Sequence, residues 1–395
     1  GDVVVADGDM VSIDGATGAV VIGSVPVVAP ETPKELSRLL EWADEIADMS
    51  VWANADTAPD ARTARAGGAR GIGLCRTEHQ FLGDRLPLVQ RVILATSDSE
   101  EEAALDDLYE RQHLDFTELL EAMDGLPVTV RLLDPPLHEF LPDLGELLVA
   151  EASEGLDEDG ERALAGVRAW HEENPMLGIR GVRLGLLRPR LYAMQVRALL
   201  DAAVERARDG GTPHVRIMVP LVATEAELQA AIDAIVEVAE AITLEPGELG
   251  VRWQVGAMVE TPRAALVAAT IATHVDFLSF GTNDLTQMTF GFSRDDVEAR
   301  LMPLYVSRGL LAEDPFGSLD VDGVGRLVAM AVEAARAANP AIDIGVCGEH
   351  GGDPRSIGFF HGVGLDEVSC SPFRVPVARL AAAQAVLGED AGADR

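Results

Sequence analysis

The sequence predicts an α/β fold: a closed (β/α)8 barrel preceded by a short β-rich remnant of another domain. Three observations carry this expectation. Eight short apolar runs recur along the chain, each continuous rather than alternating, as strands buried on both faces require. Between them lie Ala- and Leu-rich stretches with helical periodicity, residues 224–242 and 323–338 among them. The length of 395 residues and 48 % hydrophobic content suit one large barrel with insertions. Eight strands alternating with helices close more simply into a barrel than into an open doubly wound sheet.

In chain order, residues 1–27 show alternating apolar residues punctuated by Asp-Gly and Thr-Gly turn pairs. They are too short to bury a core alone and read as the tail of a preceding domain. The chain opens on Gly1 inside a strand-like run, which points to a cut or processed piece. Residues 28–50 read as a polar linker helix. The barrel is expected over 51–387, with strands at 51–56 (VWANAD), 71–75, 128–133, 215–220, 255–260, 277–281, 344–348 and 367–371. The third connection, about 134–214, is unusually long, and loops of that size tend to carry function. Residues 388–395 read as a disordered tail.

Composition narrows the function classes. The formal charge is −35 and the one lysine is Lys34, so nearly all cationic side chains are arginines. Nucleic-acid binding needs the opposite balance. The shortage of lysine leaves no G-x-x-x-x-G-K-[ST] phosphate loop, and no ATP site is legible. The acidity fits a salt-adapted surface or an Arg-, Ala- and Gly-favouring code equally well. No apolar run is long enough to span a membrane and no signal peptide is visible. Cys75, Cys347 and Cys370 are too dispersed for a disulfide framework or a zinc site, so a reducing cytoplasm is the expectation.

Barrels of this kind place their chemistry at the C-terminal ends of the strands. There the sequence puts Arg76, Arg131, Glu260, Asn283, Asp284, Cys347, Glu349 and Cys370, with Arg180 and Arg183 in the long third connection. Arginine's planar fork matches phosphate and carboxylate. Paired carboxylates suit Mg2+, which keeps waters and takes further oxygens from substrate. A thiol can serve as a proton donor. The set fits a small phosphorylated or carboxylated substrate held on Mg2+ with proton transfer nearby; it also fits structural ion pairs. Cys75 and Cys370 read as buried strand residues, and Met218, Met258 and Met288 as barrel filling. His79, His138 and His350 lie beside the motifs as packing or loop residues.

The segments GIGLCRTEHQF (71–81), RLLDPPLHEFLP (131–142), NPMLGIRGVRLG (174–185), GAMVETPRAAL (256–266), FLSFGTNDLTQMTFGFSRDD (277–296) and GVCGEHGGDP (345–354) resemble the phosphoenolpyruvate-utilising enzymes. That resemblance implies a TIM-type (β/α)8 barrel and a phosphotransferase that interconverts phosphoenolpyruvate and pyruvate. It implies that Arg76, Arg131 and Arg180 hold the phosphoryl group and that Glu260 and Asp284 bind Mg2+. Asn283, with backbone donors around Gly281 and Thr282, would bind the carboxylate, and Cys347 would protonate the enolate carbon. GEHGGDP and residues 367–385 look most like the dikinase branch, against phosphoenolpyruvate synthase or enzyme I. The family carries phosphate on a histidine in a T-S-H-A type segment, absent here, within a swivelling domain that follows an ATP-binding domain. Residues 1–27 match the stretch just after that histidine, so net transfer would need those domains as partners. A homodimer contact through the barrel is also implied. A non-catalytic phosphoenolpyruvate- or pyruvate-sensing module is the alternative from another class.

Overall fold

A computed structural model describes residues 5–6, 8–14, 19–25, 33–153, 155–242 and 251–393. The chain divides into two units, Gly1–Trp42 and Ala43–Arg395. In the first, β1 (Val11–Asp14) pairs antiparallel with β2 (Ala19–Ile22), Val11 opposite Ile22. This hairpin agrees with the β-rich reading of residues 1–27, of which 1–4, 7, 15–18 and 26–27 lie outside the described residues. The linker region is shorter in helix than 28–50 suggests: the helix spans Lys34–Ile46 and the first barrel strand already begins at Ser50.

In the second unit eight strands close a barrel: β3 (Ser50–Asn54), β4 (Ile72–Arg76), β5 (Pro127–Arg131), β6 (His214–Val219), β7 (Arg252–Val259), β8 (Phe277–Phe280), β9 (Asp343–Val346) and β10 (Glu367–Cys370). Every neighbouring pair is parallel, and β10 closes against β3 with Val368 opposite Val51. Each strand falls on one of the eight expected runs, and β8 and β10 are buried at every position. The final helix runs Val375–Ala393, past the tail boundary drawn at 388, and residues 394–395 are not described.

Sequence-local signals start helices directly behind three strands. Thr57 caps Ala58–Ala66, Thr261 caps Pro262–Leu266 and Asp353 caps Pro354–Gly362, each side chain accepting a main-chain N–H of the first turn. Each of these helices carries Pro in its first two positions, where the missing N–H costs nothing. The chain therefore leaves those strands by short, stiff exits, which holds the strand-end side chains in place.

Alternation along β6 sorts the interior. Val215, Ile217 and Val219 join the large cluster packed under the surrounding helices. Arg216 and Met218 point to the other face, into the barrel. Arg216 is 1 % exposed; its guanidinium lies 3.9 Å from the Phe277 ring centre and 4.8 Å from that of Trp52, and donates to both Glu367 oxygens at 3.0 Å. One layer further along the strands, Leu74, Met218, Met258, Phe277 and Cys347 form a separate apolar cluster. Met218 and Met258 thus fill the barrel as expected; Met288 instead lies half-buried on the helix Thr282–Phe290, outside it.

Removing one partner of a buried ion pair strands the other charge. Glu367→Ala should therefore cost about 3–5 kcal/mol, read as a lowered urea midpoint. The double replacement of Arg216 and Glu367 by Met should recover most of that loss.

Candidate active site

The ends of β4, β5, β7, β8 and β9 and the long connection after β5 converge on a cavity of about 510 Å3. Its lining includes Arg76, Arg131, Arg180, Glu260, Gly281, Asn283, Asp284 and Cys347, all expected there, together with Glu78, His79, Asp134 and Met258. Thr282 is fully buried, and its side chain turns away from the cavity into a hydrogen bond with His350.

A chain of buried charges forms the wall. Asp134, just past β5, accepts from Arg180 through Nε at 3.1 Å and Nη2 at 2.6 Å, and pairs with Arg131 at 2.9 Å. Arg131 also donates to Glu78, and Arg180 reaches Asp284 at 3.0 Å. Burial alone would raise the Asp134 pKa, but the two guanidiniums hold its carboxyl below the usual carboxylate range. The same carboxylates push both guanidinium pKa values upward, so both arginines stay charged. The long connection is tied in by main-chain bonds, Gly181 N to Asp134 O at 2.8 Å and Val182 N to Pro220 O at 3.1 Å. Gly181 has φ 57°, and a Cβ there would press into Leu221. Only glycine lets the segment carrying Arg180 lie this close.

Glu260 directly follows β7 and has no exposed surface. One carboxylate oxygen accepts from Leu221 N at 2.6 Å; the other has no hydrogen-bond partner. Leu221 holds φ 54°, a strained value for a residue with a Cβ, and this turn aims its N–H at Glu260. Burial first, then the charges of Asp134 and Asp284, push the Glu260 pKa up to about 8, against the pull of Arg131 and Arg180. Such a site favours a proton or a cation. Among the described residues no three His, Cys, Asp or Glu side chains gather to hold a metal by themselves. Glu260 and Asp284, with one buried oxygen unpartnered, suit a hard cation that draws its other ligands from water and substrate.

At the rim, Asp56 follows β3 and accepts from the main-chain N and the Nη2 of Arg76, each at 2.7 Å. His79 Nδ1 lies 2.7 Å from the same carboxylate. Burial opposes ionisation, but His79 and Arg76 pull the Asp56 pKa down to about 2.

Cys347 directly follows β9 and is 3 % exposed. Burial raises its pKa to about 11, with Glu260 adding to the rise and Ser279 and Arg131 opposing it. The loop beyond it is braced by His350, whose Nε2 donates to Pro315 O at 2.8 Å. A carbonyl can only accept, so Nδ1 is bare and takes the Thr282 hydroxyl proton at 2.8 Å. Burial lowers the His350 pKa and favours this neutral form. A further bond, Glu349 N to Asn283 Oδ1 at 3.3 Å, joins the same two segments.

Among other residues singled out from sequence, Arg183 orients its loop by donating to Leu177 O and Gly178 O. Glu349 pairs with Arg294. Cys75 and Cys370 pack in the main core as free thiols. The His138 side chain is not among those described. Sequence reasoning passed over Asp56, Glu78 and Asp134, although Asp56 and Asp134 directly follow strands, as the cavity-lining Glu260 does.

Residues 31–387 match the family described as PEP-utilising enzyme, PEP-binding domain. The chain belongs to that family. Among curated relatives, pyruvate, phosphate dikinase 1 of Arabidopsis thaliana is 50 % identical over 390 residues, 98 % of this chain and 40 % of that protein. The chloroplastic dikinase of Flaveria pringlei is 51 % identical over 391 residues, 98 % of this chain and 41 % of that protein. Pyruvate, phosphate dikinase 2 of Oryza sativa is 49 % identical over 389 residues, 98 % of this chain and 44 % of that protein. The chain thus spans about two fifths of the length of the relatives it matches. Among solved structures, a citrate lyase from Burkholderia xenovorans matches with TM-score 0.34 and 14 % identity over 63 % of this chain and 78 % of that one, too slight a likeness to bear on function. No helix among the described residues is long and apolar enough to cross a membrane. Several plant relatives are chloroplastic by name, so they lend no support to the expected cytoplasmic location.

Asp56 has its folded pKa depressed, so its stabilisation is full above the unfolded value near 3.8 and fades as pH falls towards about 2. Asp56→Asn should cost about 2 kcal/mol at pH 7. In urea titrations the gap between variant and parent should narrow from pH 4 downwards.

Proposed function

We propose that this chain binds phosphoenolpyruvate and pyruvate with Mg2+ and performs the enolate half of the pyruvate, phosphate dikinase reaction. Its partner is a phosphohistidine on a domain outside this chain, with residues 1–27 as the tail of that domain. The observation that carries the reading is one cavity in which Arg76, Arg131 and Arg180, the carboxylates of Glu260 and Asp284 among others, the Asn283 amide and the buried Cys347 thiol converge. A homodimer through the barrel belongs to the same reading by family likeness.

The exposure gradient orients the substrate. Cys347 lies at the floor, and Arg131 and Arg180 are 10 % exposed, whereas Arg76 is 38 % exposed at the rim. A phosphoryl group that must be handed to another domain belongs at the rim, and the methylene carbon at the floor. Arg76, Arg131 and Arg180 neutralise phosphoryl oxygens during transfer to the histidine nitrogen. Asn283 and the amides beside it bind the carboxylate. As the P–O bond breaks, electrons stay on the enolate oxygen. Mg2+ held by Glu260 and Asp284 would offset that charge. A thiol with pKa near 11 remains protonated at neutral pH, so Cys347 can give its proton to the methylene carbon, leaving thiolate and pyruvate. In reverse the thiolate takes a methyl proton and the enolate oxygen attacks phosphorus.

Incubated with pyruvate in D2O and Mg2+, the chain should erase the pyruvate methyl signal in proton NMR, and chelation should stop the exchange. Cys347→Ala should slow exchange by about 100-fold or more while pyruvate affinity stays within about threefold. Exchange that survives in this variant removes Cys347 from the role, and Mg2+-dependent binding without any exchange in the parent chain favours a passive sensor. Asp284→Ala should weaken pyruvate binding and make it indifferent to chelator; an unchanged chelator response takes Asp284 out of the metal site.

A further inference from the structure

We propose that His79, oriented by Asp56, is a ligand-binding residue that takes a phosphoryl oxygen of phosphoenolpyruvate beside Arg76 at the cavity rim. This rests on the preceding reading of the substrate. His79 lines the cavity with its side chain 42 % exposed, and its Nδ1 is 2.7 Å from the Asp56 carboxylate. Asp56 is ionised and can only accept, so Nδ1 carries a proton and Nε2 is the ring's free end. No partner for Nε2 exists among the described residues.

The same carboxylate holds Arg76 through Nη2 at 2.7 Å and Nε at 3.2 Å. One buried anion thus anchors two nitrogen-bearing side chains that line the same rim. A purely structural ion pair needs Asp56 and Arg76 alone; it leaves no use for a half-exposed imidazole with an uncommitted nitrogen. A phosphoryl dianion has oxygens for both groups, and beside it the protonated imidazole donates from Nε2 in a charge-assisted bond. The proton comes from solvent, and His79 makes no bond to phosphorus. Pyruvate has no phosphoryl group and has nothing to offer this nitrogen.

The test is calorimetric titration of the chain in Mg2+ with phosphoenolpyruvate and, in parallel, with pyruvate. His79→Asn keeps an amide donor towards Asp56 in place of Nδ1 and removes Nε2. We expect the phosphoenolpyruvate Kd to rise about tenfold and the pyruvate Kd to stay within about twofold. Unchanged phosphoenolpyruvate affinity in the variant means that His79 merely props Asp56, and equal weakening of both ligands means a general loss of site order; either result overturns the proposal. If the parent chain binds neither ligand, the substrate reading itself falls and carries this inference with it.

Discussion

Asp134, buried between Arg131 and Arg180, is the constraint on which the rest of the cavity depends. Two guanidiniums brought together in a low-dielectric wall repel each other, and burying either alone would be costly. A carboxylate between them, bidentate to one and paired to the other, offsets that cost and fixes both forks on one anion. The pair Arg180–Asp284 then extends the web from the long connection to the helix after β8. Segments remote in sequence are thus joined at the cavity by charge, in addition to the main-chain bonds and apolar packing of the long connection. That arrangement leaves the guanidiniums charged, oriented and partly open to an incoming anion.

The ion pairs also answer the ambiguity of a strand-end cluster of arginines and carboxylates. Such residues can be structural or functional, and here they line one cavity while pairing with one another. Without ligand, the acids satisfy the arginines. Glu260 pairs with no arginine among the described residues, has one oxygen unpaired, and has its charge disfavoured by burial and by two neighbouring acids. A site that disfavours its own anion favours the approach of a proton or a cation.

The barrel supports this arrangement through stiffness. Capped, proline-started helices leave little slack at the exits of β3, β7 and β9, and the Arg216–Glu367 plug with its apolar layer closes the floor beneath Cys347. The floor keeps water from the thiol, which raises its pKa and preserves its proton. His350 then pins the Cys347 loop to the helix carrying Asn283 and Asp284. The Cys347 loop and the helix that carries Asn283 and Asp284 are thus joined through one neutral imidazole.

Taken alone, the sequence determined the barrel, because parallel strands buried on both faces leave unbroken apolar runs that neither turns nor amphipathic helices imitate. It also placed Arg76, Arg131, Glu260, Asn283, Asp284 and Cys347 at one rim, since the end of a barrel strand is a local property. Arg180 was a candidate from its place in the long third connection, but its role came from family likeness, because no periodicity specifies the course of that connection. The tertiary structure decided which charge meets which. The Asp56 contacts with Arg76 and His79 span 20 and 23 positions and the Thr282–His350 brace spans 68, each between neighbouring βα units, while Asp134 meets Arg180 across 46 positions of the connection after β5; none of these pairings is a property of local sequence. Leu221 is legible in neither pattern nor propensity; its left-handed backbone exists because the packed ends of β6 and β7 require an N–H there.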